Sequence, residues 1–200
     1  MGNDEPNQST QSETNGGGGN DTIVQVYFCE IFCFQEQTII NVLENDHQIK
    51  KRQVSHIKKD DRVLTYDGEN KIFTKVIKIF ENKGAFESYE FKCRNKDSTI
   101  KSITVTGNHT MIIYNKDNEI KFKSANKVKI GDLFRTTDGM FEIFEINQKK
   151  MKNSYELRVE NGTVLANDIL ISTLYLKNYE KMKEYQKIIE SSKIPVEILN

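Results

Sequence analysis

The stretch Ile57-Lys58-Lys59-Asp60-Asp61-Arg62-Val63-Leu64-Thr65-Tyr66-Asp67-Gly68-Glu69-Asn70-Lys71-Ile72-Phe73 decides the fold, because the chain repeats it 71 residues later as Val128–Phe144. Seven of the 17 aligned pairs are identical: Lys58/Lys129, Asp61/Asp132, Thr65/Thr136, Asp67/Asp138, Gly68/Gly139, Ile72/Ile143 and Phe73/Phe144. Ordinary composition gives roughly one identity by chance over such a window. Each copy reads as an Asp before a strand, a tight turn, then a second strand. Two copies imply two half-domains related by a pseudo-two-fold axis and packed around one shared core.

Working outward, the same texture fills the chain from Ile23 to Leu165. Short alternating or β-branched runs stand at Ile23–Phe28, Thr38–Leu43, Arg62–Tyr66, Ile72–Phe80, Ile100–Thr106, Met111–Tyr114, Met140–Ile146, Tyr155–Val159 and Thr163–Leu165. Turn formers separate them, at Asp67-Gly68, Lys116–Glu119, Asp138-Gly139 and Asn161-Gly162. Many short strands at close spacing predict an all-β fold. Residues 1–22 open with a polar segment ending in four glycines, which cannot repay its ordering entropy and is expected to be a disordered tail. From Leu174 the period changes: Leu174, Tyr175, Tyr179, Met182, Tyr185, Ile188 and Ile189 recur at helical spacing until Pro195. Residues 176–200 are therefore expected to form an amphipathic C-terminal helix and a short tail.

Composition excludes several function classes. The 200 residues carry 29 basic and 29 acidic side chains, and their scatter leaves no basic face for nucleic acid or a membrane surface. No run approaches the ~18 apolar residues of a membrane span. The acidic, polar N-terminus lacks the layout of a signal peptide, and Pro6 stands where a myristoylation signal wants Ser or Thr. Three cysteines, Cys29, Cys33 and Cys93, make no disulfide framework and fit free thiols in a reducing compartment. The chain as it stands is expected in the cytoplasm, or in the secretory pathway if it belongs to a larger precursor, and is expected to be a monomer. A zinc set of the three cysteines with His56 or His109 is allowed by the Cys-x-x-x-Cys spacing, but no second knuckle completes it, so no metal or other cofactor is expected. His47 and His56 stand in no motif and are expected on loops and surface.

Cys33 opens Cys33-Phe34-Gln35-Glu36-Gln37-Thr38, and Thr104-Val105-Thr106-Gly107-Asn108-His109 ends a strand in Thr-x-x-His. A thiol, an imidazole and a small hydroxyl are the parts that acyl transfer requires. Taken together, Cys-Phe-x-x-x-Thr, the strand Asp61–Leu64 and the Thr106/His109 pair resemble the Hint module shared by inteins and the Hedgehog C-terminal domain. The resemblance covers about residues 33–175 within a domain set at 23–175. Thr106 follows Cys33 by 73 residues, which suits the compact, endonuclease-free form. Lys129-Ile130-Gly131-Asp132 is similar to the family's second Gly-Asp turn. Gly162-Thr163-Val164-Leu165-Ala166-Asn167-Asp168-Ile169-Leu170-Ile171-Ser172 resembles the Hedgehog closing strand.

The resemblance implies a horseshoe of two related halves and an autocatalytic role, as a single-turnover cysteine protease or transferase acting in cis. Cys33 would attack the carbonyl of Phe32 and convert the Phe32–Cys33 peptide bond to a thioester. Thr106 and His109 would polarise that bond and protonate the leaving nitrogen. The chain's own N-terminal flanking segment would be the substrate, released or passed to water, an amine, or an alcohol such as a sterol. Hedgehog-type domains activate that alcohol with an acidic residue after the strand preceding Thr-x-x-His, which implies Glu81 here. Inteins close with His-Asn, where this chain has Ser172-Thr173, so full splicing is not expected and the Hedgehog type is the nearer one. Phe32 replaces the Gly common before the Hedgehog cysteine, Asp60 replaces the Gly of the first Gly-Asp turn, and Thr173 replaces the usual second cysteine. The alternative is a degenerate Hint fold that serves as a binding or structural module without chemistry.

Overall fold

The computed structural model describes residues 33–174 except 46, 117 and 118. The tail at 1–22, the strand expected at Ile23–Phe28, Phe32 and the helix and tail at 176–200 lie outside the described residues. Among the described residues no helix is long and apolar enough to cross a membrane.

Twelve antiparallel strands form one continuous, folded-over sheet, so the all-β expectation holds. They are β1 (Cys33–Gln35), β2 (Ile39–Leu43), β3 (Ile49–Gln53), β4 (Arg62–Asp67), β5 (Asn70–Arg94), β6 (Ile100–Thr106), β7 (Thr110–Tyr114), β8 (Ile120–Ser124), β9 (Leu133–Thr136), β10 (Gly139–Val159), β11 (Thr163–Ala166) and β12 (Ile169–Ser172). Two 3-10 turns, Val54–His56 and Ala125–Lys127, follow β3 and β8.

The internal duplication reaches further than the identities that reveal it. The hairpin β2–β3 pairs Ile39 with Gln53 and Leu43 with Ile49, and β7–β8 pairs Thr110 with Ser124 and Tyr114 with Ile120. Every position is displaced by the same 71 residues. Backbone bonds repeat the correspondence: Val54 N–H to Thr38 O at 2.7 Å matches Ala125 N–H to His109 O at 2.8 Å. Asp61 and Asp132 then occupy equivalent places. Asp61 Oδ2 accepts the Lys58 N–H at 2.8 Å and Asp132 Oδ2 accepts the Lys129 N–H at 2.9 Å, while Arg52 and Lys123 supply the matching cations. In both copies a carboxylate closes the turn that launches the next strand, satisfying an amide the sheet leaves over.

Beyond Thr65/Thr136 the register of 71 breaks. Val76 N–H donates to Asp61 O, but its counterpart on Asp132 O is Ile143 N–H, so the second hairpin is four residues shorter. Gly68 (φ +57°) lies within the first turn, whereas Gly139 (φ +107°) already opens β10, and the turn is Thr137-Asp138. The Ile72/Ile143 and Phe73/Phe144 identities are therefore not structural equivalents.

The long strands correct a second expectation. Met140–Ile146 and Tyr155–Val159 belong to the single strand β10, and Ile72–Phe80 is only the first half of β5. These strands pair along almost their whole length, Val159 with Val76 at one end and Glu142 with Arg94 at the other. The intervening polar segment Asn147–Asn153 shows no apolar alternation in sequence because, Met151 apart, its side chains are not buried.

The main core fills the space inside the fold with Phe34, Phe91, Phe134, Phe141, Ile40 and Ile143, all fully buried. A second cluster around Tyr66, Tyr114, Leu165 and Leu170 is crossed by Arg135, which lies 4.0 Å from the Tyr66 ring and donates to Gly68 O at 2.8 Å. That guanidinium ties the second half to the hairpin tip of the first.

Replacing either turn carboxylate should weaken the fold comparably. Asp61→Ala and Asp132→Ala are each expected to cost about 1–2 kcal/mol in urea unfolding, the toll of a lost charge-assisted backbone bond and its ion pair.

Candidate functional site

The site lies where β1 enters the sheet. This three-residue strand is held between β10 and β6, with Cys33 opposite Glu156 and Phe34 opposite both Tyr155 and Val105. Insertion between two strands buries Cys33 and Phe34 completely. The turns that end β1 and β6 are again counterparts, since Thr38 N–H donates to Gln35 O and His109 N–H to Thr106 O, both at 2.9 Å. The Thr-x-x-His segment is thus the second copy of the turn that follows the cysteine.

Three sequence-nominated residues converge here. The backbone N–H of Cys33, which is the nitrogen of the Phe32–Cys33 peptide bond, donates to Thr106 Oγ1 at 3.2 Å. His109 is wholly buried and packs its ring edge-on against Phe34, centroids 4.8 Å apart. Its Nε2 lies 3.0 Å from Ser172 O at the end of β12. A carbonyl only accepts, so in this contact the ring donates through Nε2. Burial pushes the imidazole down to about 4, against the opposing pull of backbone hydrogen bonding to Ser172 and Cys33. At neutral pH the imidazole is therefore uncharged, and once protonated it would be a strong acid.

Glu81 is not brought to Cys33. It sits opposite Tyr155 in the ladder, is exposed, and interacts with the Tyr155 phenol, which burial first, then the charges of Glu81 and Glu36, raise. Successive strand residues point to opposite faces, so the next residue, Asn82, turns toward the thiol. Its Nδ2 donates to Cys33 Sγ at 3.4 Å.

Sequence reading also missed Glu156. It faces Cys33 directly in register and is 6% exposed, with Arg158 Nε 2.5 Å from its Oε1. Its signal was only an acid inside an apolar run, which does not tell a buried face from a solvated one. Cys93 is no rival nucleophile, because burial pushes its thiol up to about 12. His47 and His56 are exposed, as expected. Among the described residues no group of three or more His, Cys, Asp or Glu is placed to hold a metal.

The exit of β12 also meets the site. Ser172 O accepts from His109, and Thr173 N–H donates to Gly162 O at 2.7 Å. Gly162 has φ +74°, and a Cβ there would lie 2.6 Å from Leu174 Cδ1, so only glycine lets the exit of β12 pack so closely.

No family model matches the chain, and no curated protein matches it. Solved structures do. An intein from a hyperthermophile superposes with a TM-score of 0.61 at 14% identity, covering 70% of this chain and 99% of that one. A bacterial intein-like domain from Clostridium thermocellum gives 0.56 at 17% identity, over 70% and 97%. A DnaB intein from Synechocystis sp. gives 0.56 at 15% identity, over 70% and 97%. The fold is the Hint fold of inteins.

Because the folded-state value of His109 lies below the ~6.5 of a free imidazole, the unfolded chain takes the proton first. Stability is therefore expected to fall as pH drops from about 6.5 to about 4, by on the order of 3 kcal/mol in all. Imidazole NMR should find His109 neutral until about pH 4, and titration near 6.5 would contradict the burial assigned to it.

Proposed function

We propose that this chain is a self-processing Hint domain that turns the Phe32–Cys33 bond into a thioester and does not splice. The observation that carries this reading is the hydrogen bond from the Cys33 amide to Thr106 Oγ1, with the His109 ring held beside it. In the proposed step the Cys33 thiol gives its proton to His109 Nδ1 and the sulfur adds to the Phe32 carbonyl. The C–N bond then breaks, and the imidazolium returns the proton to the nitrogen, leaving a free amine on Cys33 and an acyl–sulfur bond. Asn82 favours the charged form of the sulfur by donating to it.

The second step releases the N-terminal segment to water, an amine, or an alcohol such as a sterol. A general base must activate an alcohol. Asn82 has no basic site, and Glu81 is turned away, so Glu156 replaces Glu81 as the proposed base. The Hedgehog-like preference rests on the chain's own residues, because the solved structures named above are inteins and an intein-like domain. Downstream release by splicing requires an Asn whose amide attacks its own carbonyl. Thr173 has no amide, and Ser172 offers His109 only a backbone carbonyl.

Dithiothreitol or hydroxylamine should cut the chain before Cys33, giving a product that begins at Cys33, and Cys33→Ala should give none. His109→Ala should slow the cut by about a hundredfold. A tag placed ahead of residue 1 should be lost while one fused after Asn200 stays attached. A free downstream tag, or the two tags joined, would favour splicing. An unchanged intact mass after long incubation would leave the fold as a module without chemistry.

A further inference from the structure

Cys33 belongs to neither of the two large cores. Its side chain is buried in a cluster of its own with Phe86 and Met151, each 7% exposed. Those two residues come from the middle of the β5–β10 ladder, where many neighbours are charged and exposed: Lys83, Glu87, Lys149, Lys150 and Lys152. Phe86 and Met151 face each other directly across the ladder. Beside them the register slips, so that Gly84 and Ala85 together oppose Lys152 before Lys83 pairs with Asn153. Such a bulge bends a ribbon and re-aims its side chains. Gly84 makes it feasible, with φ +146° and the Phe86 ring passing 3.6 Å from where a Cβ would stand.

Among these exposed charges Phe86 and Met151 are buried against Cys33, so the pair covers the proposed nucleophile. We infer that Phe86 and Met151 are an acceptor filter, a clasp over the Cys33 sulfur that admits small nucleophiles to the acyl group and holds off bulky polar ones. This rests on the thioester reading above. In the filtered step the acceptor's X–H adds to the acyl carbon, the C–S bond breaks, and the acceptor's proton returns to the Cys33 sulfur. Apolar walls also keep water scarce there, which prolongs the thioester.

The test compares reagents of one chemistry and two sizes on the full chain. Cys33 alkylation by N-ethylmaleimide and by fluorescein maleimide, followed by peptide mapping, measures access without needing activity. Phe86→Ala, and the milder Phe86→Leu and Met151→Ala, should speed the bulky reagent about tenfold or more and the small one by less than about threefold. Cleavage before Cys33 by 2-mercaptoethanol against glutathione should shift toward glutathione to the same degree. Equal acceleration of both sizes, or no change, overturns the filter. Absence of cleavage with either thiol overturns the thioester reading instead, while the maleimide pair still decides whether the clasp exists.

Discussion

The pairing of β5 with β10 is the constraint on which the other contacts depend. Each strand starts in the hairpin of its own half and ends beside the other half's strand, with Val76 opposite Val159 and Arg94 opposite Glu142. Neither half can close alone, because each lends its longest strand to its partner. The ladder also sets the site, since one edge of β10 carries β1 while the other carries β5. Reading across the three strands gives Cys33, Glu156 and Phe80 on one row and Gln35, Ser154 and Asn82 on another. One slip of register would turn Glu156 and Asn82 away from the thiol and every core residue of β10 outward.

Burial shapes this site more than any single charge does. Cys33 and His109 are fully enclosed, and Thr106 is nearly so. Desolvation holds the imidazole neutral. The carboxylate that shares the thiol's face, Glu156, has Arg158 beside it, as a charge in such surroundings requires. Phe86 and Met151 complete the same enclosure around Cys33.

Duplication gave the fold two equivalent turns, and they differ at the positions proposed to carry chemistry. Gln35 and Thr38 in the first turn correspond to Thr106 and His109 in the second, with the same backbone bonds in both. The backbone frame was kept by hydrogen bonding, and the side chains were free to differ. The two turns lie on adjacent strands, so the second turn's residues meet the first strand's cysteine, and the pseudo-symmetry is what closes the site.

The sequence by itself determined the all-β class, the two-fold duplication and three of the site residues, because each rests on local signals. Strand periodicity, turn residues and the Asp61/Asp132 carboxylates act within a few residues of one another, and the Cys33, Thr106 and His109 motifs are short. Tertiary structure decided the rest. It ran the duplication through Thr38/His109 and Arg52/Lys123, where no identity marks it, and it fused Met140–Ile146 with Tyr155–Val159 into one strand. It also replaced Glu81 with Asn82 beside the thiol, a difference of one residue that depends on which face of β5 meets β10. Glu156 and the Phe86–Met151 clasp were invisible for the same reason. Their burial is created by partners 53 to 123 positions away, and a side chain's environment across that distance is a property of the register, which pairing between strands sets and local sequence does not.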